Sequence, residues 1–277
     1  MLNVLKDKGF EVLFESHAAA ILDRDFPTAL GELEAALSQF EIPISEIIGS
    51  GGGETKGTQR LRHALNDQGW RKVNFEIKKS IKFSEVDTDT EPIRLEREST
   101  THEIDHVKAF TGDFEGKKLI ALEIEWNNKD PFFDRDLENF KRLHAEGAIS
   151  VGVIVTRGSS LHSQLWDFVY RYAVEQNIQS FDDLDRLQIG LTPKQKTAIK
   201  KRTSRPKEPV AFPTAWADKF VSDKFGEATT HWDKLIARIS RGVGNPCPLL
   251  LIGLPDSIVS FAANDTVEAF DAGIEES

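Results

Sequence analysis

Cysteine is almost absent from this chain. A single residue, Cys247, among 277 cannot form an internal disulfide, and it excludes a cysteine-rich metal site. No run of about eighteen apolar residues occurs, so no membrane-spanning helix is expected. The opening MLNVLKDKGFEVLF lacks the pattern of a cleavable signal. The glycine-rich stretch at 50–53 (SGGG) has neither the lysine nor the Ser/Thr of a phosphate-binding P-loop, which argues against nucleotide hydrolysis. There is no internal repeat. Positive charge is also scarce: 35 Lys and Arg against 45 Asp and Glu give a net −10. That total, taken alone, disfavours a nucleic-acid partner.

What is present is enough for a core. The hydrophobic fraction is 39%, with 18 Phe and 5 Trp, so collagen-like, low-complexity and wholly disordered classes are excluded. The length suits one large domain spanning 1–277. We divide it into a helical N-terminal part (1–50), a core (51–160) and a C-terminal part of helices and strand (161–277). A soluble, cytoplasmic α/β protein is the plain expectation. The charge is unevenly spread. Residues 1–50 carry 3 basic and 9 acidic side chains, and 256–277 carry 6 acidic and none basic. The stretch between them holds 32 basic against 30 acidic, so the acidity lives at the two ends.

Periodicity supplies the elements. Phe10, Val12 and Leu13, followed by Ala18, Ala19, Ala20 and Leu22, predict a helical start. Pro27 can open a second helix with Leu30, Leu33 and Leu37 on one face. A polar helix is predicted over 55–69 with Leu61 and Leu65 inward, then a strand over 70–83 with Val73, Phe75 and Ile77. Residues 84–101 read as a loop or hairpin excursion. Strands follow over 102–110 and 119–126, with a turn between them. Phe133, Leu137, Phe140 and Leu143 form the apolar stripe of a helix over 132–146 that Gly147 stops. ISVGVIVT (149–156) has the near-continuous apolarity of a strand buried on both faces. A helix over 163–176, further helices around Trp216, Phe220, Trp232, Leu235, Ile236 and Ile239, and an apolar strand over 248–254 complete the reading.

The chemistry concentrates in HEIDH (102–106) and LIALEIEW (119–126). Side chains alternate along a strand, so Glu123 and Glu125 share one side with Leu119 and Ala121, while Ile120, Leu122, Ile124 and Trp126 share the other. Burying two like charges side by side is costly unless a cation lies near them. Antiparallel pairing with 103–110 brings Asp105 close to Glu123. Three carboxylates at the end of a sheet are hard oxygen ligands of the kind Mg²⁺ takes when phosphate oxygens complete its shell. Such an ion can generate hydroxide and stabilise charge on a phosphodiester. The residues alone leave open a second reading, in which both glutamates face solvent on a half-exposed strand.

THEIDHVKAF and ALEIEWNNKDPFFDRDLENFKRLHAEGAISVGVIVTRG, over about 101–158, resemble the PD-(D/E)xK nuclease core. Within it they are most similar to type II restriction endonucleases of the BglII and BamHI group. The resemblance implies a central mixed β-sheet flanked by helices. It also implies Mg²⁺-dependent hydrolysis of phosphodiester bonds on both strands of a short palindromic double-stranded DNA site. Further implications are a homodimer, a cognate DNA methyltransferase as genetic partner without a stable complex, no membrane, and a prokaryotic cytoplasm. Carried over by position, Asp105 and Glu123 bind metal. Glu125 stands where the wider superfamily has lysine and acts as general base or holds a second metal. Asn74 and Glu76 are candidates for the group's outer residue, with Glu54 a third whose other reading is charge complementarity at a helix start.

Several features take a DNA role from this resemblance. Asn127, Asn128 and Lys129 follow the catalytic strand and have donors for phosphates or base edges; a polar turn is the alternative. Arg157 and Ser159, in TRGSS after the buried strand, stand where the group sends residues toward DNA. Arg157 is then a phosphate clamp or a reader of guanine, or otherwise an ordinary strand-end charge. KQKTAIKKRTSRPK (194–207) has seven basic residues and no acid. Lys200, Lys201 and Arg202 either meet the DNA backbone or form a solvated linker. Trp232 is read as core from its spacing to Leu235 and Ile236, although TTHW (229–232) also suits a DNA-contacting turn. His102, His106 and His144 are read as structural. Competing functions are a structure-selective or repair nuclease on the same core, and a catalytically inactive DNA-binding protein. A glycosidase pair ranks low, because carboxylates at i and i+2 face one way and do not flank a bond.

Overall fold

The computed structural model describes residues 1–49, 55–84, 86, 91, 93–97, 101–109 and 118–261. Glu54, the SGGG stretch at 50–53 and most of the 112–118 turn lie outside them. The chain opens with α1 (Asn3–Asp7), β1 (Glu11–Glu15), α2 (Ala18–Asp25), α3 (Ala29–Ser38), β2 (Ile42–Pro43) and α4 (Ile44–Gly49). Next come α5 (Lys56–Asp67), β3 (Arg71–Glu76), β4 (Lys79–Phe83), β5 (Ile93–Arg97), β6 (Thr101–Ala109) and β7 (Leu119–Glu125). Helix α6 (Phe132–Ala145), β8 (Val151–Arg157), α7 (Ser159–Glu175), α8 (Phe181–Arg186) and α9 (Pro193–Thr203) follow. The last elements are α10 (Phe212–Lys224), α11 (Trp232–Ile239), β9 (Leu249–Leu254) and β10 (Val259–Ser260).

Six strands form one mixed sheet in the order β1-β9-β8-β7-β6-β3. β7, β8 and β9 run parallel, while β1, β6 and β3 are antiparallel to their neighbours. The parallel strands are covered on both sides, which is why they read as continuous apolar runs. Every residue of β8 and of β9 is buried. On one face Ile120, Leu122, Val151, Val153, Val155, Leu250, Ile252 and Leu254 pack against helices including α7 and α10. On the other, Ala121, Ile154, Leu249 and Leu251 meet Phe133, Leu137, Phe140 and Leu143 of α6, and Leu235 of α11. Each such fully buried large apolar side chain is worth about 1.5–3 kcal/mol.

Two positions show how the local sequence sets this packing. A Cβ on Gly152 would lie 2.4 Å from Phe140 Cδ2, so only glycine lets α6 settle this closely onto β8. Gly147 ends the turn after α6 at φ +69°, a left-handed conformation that glycine adopts without strain. At α5, the Thr55 side chain accepts a hydrogen bond from the Thr58 N–H and fixes the helix start.

The helical reading of the first residues is corrected. Residues 11–15 form the edge strand β1, with Val12 opposite Ile252 and Leu13 opposite Leu251. Val12 and Phe14 pack on one face of the sheet and Leu13 on the other, which is a period of two. The helix predicted to begin at 163 starts earlier, at Ser159. The 84–101 excursion contains part of a hairpin, β4 with β5, in which Ile81 pairs with Leu95 and Phe83 with Ile93.

Candidate active site

The two glutamates of β7 are inside the protein. Glu123 is 5% exposed and Glu125 2%. Alternation puts them on the α6 side of the sheet in line with Ala121, where the apolar packing gives way to charge. The solvent-facing alternative for these residues is thereby removed. Asp105 lies on neighbouring β6, where His106 pairs with Leu122 and so places Asp105 beside Glu123. Between β3 and β6 the register runs from Arg71 opposite Val107 to Val73 opposite Ile104. Two steps on β3 therefore match three on β6, which is a bulge at Asp105 and His106. Asp105 is half-exposed, and its Oδ1 lies 3.7 Å from Lys72 Nζ.

Asp105 and Glu123 open onto a cleft of about 620 Å³, which His102, Glu103, Arg135, Glu138, Asn139 and Arg142 also line. Helix α6 supplies its far wall and one residue that the sequence reading did not select. Asp136 is fully buried, one turn after Phe133 and beside Leu137 on the apolar stripe. An acid on an inward stripe was the available signal. Arg135 donates from Nε to Asp136 Oδ1 at 2.8 Å and lies 3.5 Å from Glu125 Oε1. Arg142, two turns after Arg135 on the same helix, carries a second positive charge to the cleft wall.

The electrostatics follow from crowding. Burial first, then the nearby Asp136, Asp105 and Glu125 charges, push Glu123 up to about 9. Burial likewise raises Glu125, with the Asp136 charge adding to it, and burial raises Asp136. Asn128 Nδ2 donates to Glu125 Oε2 at 2.8 Å and opposes the rise. One half-exposed arginine guanidinium, that of Arg135, serves both Glu125 and Asp136, and Asp136 Oδ2 is buried with no hydrogen-bond partner. This hard-oxygen donor set lacks positive charge and fits a divalent cation. Among the described residues no group of three or more His, Cys, Asp or Glu side chains is gathered closely enough to hold a metal ion by itself.

The remaining site candidates scatter. Asn74 and Glu76 lie exposed on β3, opposite Glu103 and Thr101 respectively, so Asn74 is the nearer to Asp105. Lys129 is exposed beyond the end of β7, and Asn127 is half-buried. Lys200, Lys201 and Arg202 sit on α9, whose Ile199 packs into the core on the face opposite Glu123. Arg202 is paired there with Asp218 at 2.5 Å. The structure does not bring this basic run to the carboxylates. His102 is buried against the cleft with Nε2 unpartnered, and burial lowers its pKa.

Two expectations of DNA contact are corrected. Arg157 is fully buried, with its guanidinium donating to Trp126 O, Thr229 Oγ1 and Thr230 O. It presents nothing to a phosphate or a base. The Ser159 N–H donates to Glu11 Oε2 at 2.7 Å, and its hydroxyl bonds Glu11 Oε1 at 2.8 Å and Asp233 Oδ1 at 3.2 Å. Both side chains are held by β1 and the 229–233 segment, far apart in sequence, which no local pattern announces.

A mixed central sheet flanked by helices, with buried acids under a cleft at the end of its middle strands, defines a restriction-endonuclease-like α/β fold. The chain belongs to the family Restriction endonuclease BglII/BglIII, whose profile matches residues 10–254. This is a family of type II restriction endonucleases, phosphodiester hydrolases that act on double-stranded DNA and generally use a divalent metal. No curated protein matches the chain. No helix among the described residues is long and apolar enough to cross a membrane.

Proposed function

We propose that this protein is a Mg²⁺-dependent, homodimeric endonuclease that cleaves both strands of a short palindromic DNA site. The observation that carries the reading is the burial of Glu123 and Glu125 together with Asp136, beside a cleft that Asp105 shares. So many acids with one arginine among them are costly until a cation arrives.

Asp105 and Glu123 are the residues to hold the ion. When bound, Mg²⁺ supplies charge that stabilises the pentavalent transition state and lowers the pKa of water. Glu125, held by Asn128 and adjacent to Arg135, takes a proton from the attacking water. The water oxygen bonds to phosphorus in line with the leaving 3′ oxygen, and the P–O3′ bond breaks. The 3′ oxygen collects a proton from solvent, leaving 5′-phosphate and 3′-hydroxyl ends. Arg135 and Arg142, on the wall of the cleft, draw the phosphate toward the acids.

A two-fold dimer accounts for cutting both strands, since an isologous interface presents two identical sites to a palindrome. The cognate DNA methyltransferase is a genetic partner that protects the same site without a stable complex, in a prokaryotic cytoplasm. Lys129 and the 194–207 run supply charge for the DNA backbone outside the cut site.

Incubating unmethylated phage DNA with the protein and Mg²⁺, followed by gel electrophoresis, tests this directly. Discrete bands are expected. A smear would point to a repair-type nuclease, and intact DNA with every divalent metal would sink the reading. Sedimentation of the protein in Ca²⁺ with the identified site should give two chains per duplex.

A further inference from the structure

Arg157 poses a physical question. It is fully buried, and among the described residues no carboxylate pairs with it. Burial lowers its pKa to about 9, and a guanidinium is costly to bury without compensation. It is compensated entirely by neutral groups. Nε donates to Trp126 O at 2.9 Å, Nη2 donates to Thr229 Oγ1 and to Thr230 O at 2.7 Å each, and Nη1 lies 3.3 Å from His162 Nδ1. The plane sits over Phe225 at 5.0 Å. Apart from His162 on α7 and Phe225 after α10, these partners belong to two chain segments: the exit from β7 and the turn before α11.

Those same segments are laced together. Thr230 N–H donates to Asn128 O at 2.9 Å, and the Asn128 N–H donates to Thr230 Oγ1 at 3.0 Å. Lys129 bridges to Thr229, and the Asp130 N–H donates to Ala228 O at 3.0 Å. Asn128 then spends its side-chain amide on Glu125 Oε2 at 2.8 Å. The Thr156 hydroxyl, next to Arg157, donates to the Glu125 carbonyl at 2.7 Å.

We propose that Arg157, the 229–230 turn and Asn128 form one positioning relay that holds the Glu125 carboxylate for the reaction. Arg157 and Thr230 are positioning residues in this relay, and Asn128 is its last member, not a reader of bases. An arginine suits the post because its fork fixes several acceptors at once, whereas lysine offers a single mobile point. The inference rests on the nuclease reading of Glu125 and deepens it.

The test measures single-turnover cleavage of unmethylated phage DNA in Mg²⁺, with duplex retention in Ca²⁺ and thermal unfolding for each variant. Thr230→Val removes the acceptor for Asn128 with little change of shape. It should cut about tenfold more slowly at saturating protein, the scale of a slightly misplaced catalytic group, with duplex retention unchanged. Thr230→Ser should restore the rate to within about twofold of the original. Asn128→Ala, at an exposed position where folding is not at risk, should slow cleavage similarly and leave the cut sequence unaltered. Normal rates in Thr230→Val and Asn128→Ala would overturn the relay while the nuclease reading stands. So would failure of Thr230→Ser to rescue, or an effect on duplex retention alone. If the unaltered protein fails to cut, the nuclease reading falls and the relay with it.

Discussion

Two groups of buried charge lie at the same end of the sheet and are resolved in opposite ways. Glu123, Glu125 and Asp136 are crowded with one arginine, Arg135, and keep an unpartnered carboxylate oxygen. Arg157 stands without an acid, yet carbonyls and hydroxyls meet its guanidinium on several sides. A buried charge saturated by neutral partners is finished, and its business is to hold structure. A buried charge left in deficit is waiting for a ligand of opposite sign. That difference separates a site from its scaffold better than residue type does, because an arginine after a buried strand looked like the DNA contact and is the scaffold.

The sharpest way to break the comparison is Glu123→Ala. Cleavage of phage DNA in Mg²⁺ should fall by at least about 10³-fold, in keeping with loss of a metal-holding group, while duplex retention in Ca²⁺ persists. Normal cutting would mean that the deficit marks no catalytic site. Arg157→Ala should act in the opposite register. It should cost about 3 kcal/mol in urea unfolding, because several buried acceptors lose their donor. A loss below about 1 kcal/mol would show that its partners are not held by it.

A milder effect comes from spacing. Gly152→Ala pushes Phe140 and with it α6, so about 1–3 kcal/mol of stability should be lost, and Arg135 and Asp136 should move with the helix. Unchanged stability would mean that the α6 packing on β8 is loose. The last expected effect is a slope, small over any one pH unit. Glu123 keeps its proton in the folded protein up to about 9, whereas an unfolded glutamate loses it near the ordinary value of 4.5. The stability tied to that proton is fully present below the unfolded pKa and is lost as pH rises toward 9. Metal-free protein should therefore weaken by about 1 kcal/mol per pH unit over this window. Glu123→Gln or added Mg²⁺ should flatten the slope, as thermal unfolding at several pH values would register. A metal-free protein with no slope would remove the deficit.

Much of the core was legible from periodicity. The i,i+2 placement of Glu123 and Glu125, the apolar run that became β8, and the stripe of Phe133, Leu137, Phe140 and Leu143 all report short-range geometry. Asp136 was legible in principle, being an acid on that same stripe. The bulge at Asp105 was not, since it depends on how β6 meets β3. Nor was β1, whose five residues gain their meaning from a partner strand near the other end of the chain.

The amino-acid order by itself determined which residues alternate, which face of a helix is apolar and where the acids cluster, because backbone geometry acts over a few residues. It also showed that the net −10 belongs to the two ends, so acidity never weighed heavily against DNA. Only the tertiary structure decided which charges are inside, and what meets them there. The burial of Glu125 and of Arg157 is set by segments that are distant in sequence, such as the 229–230 turn and α6, and solvation is a property of the assembled neighbours. Burial, not identity, made one group of charges a candidate site and the other its support.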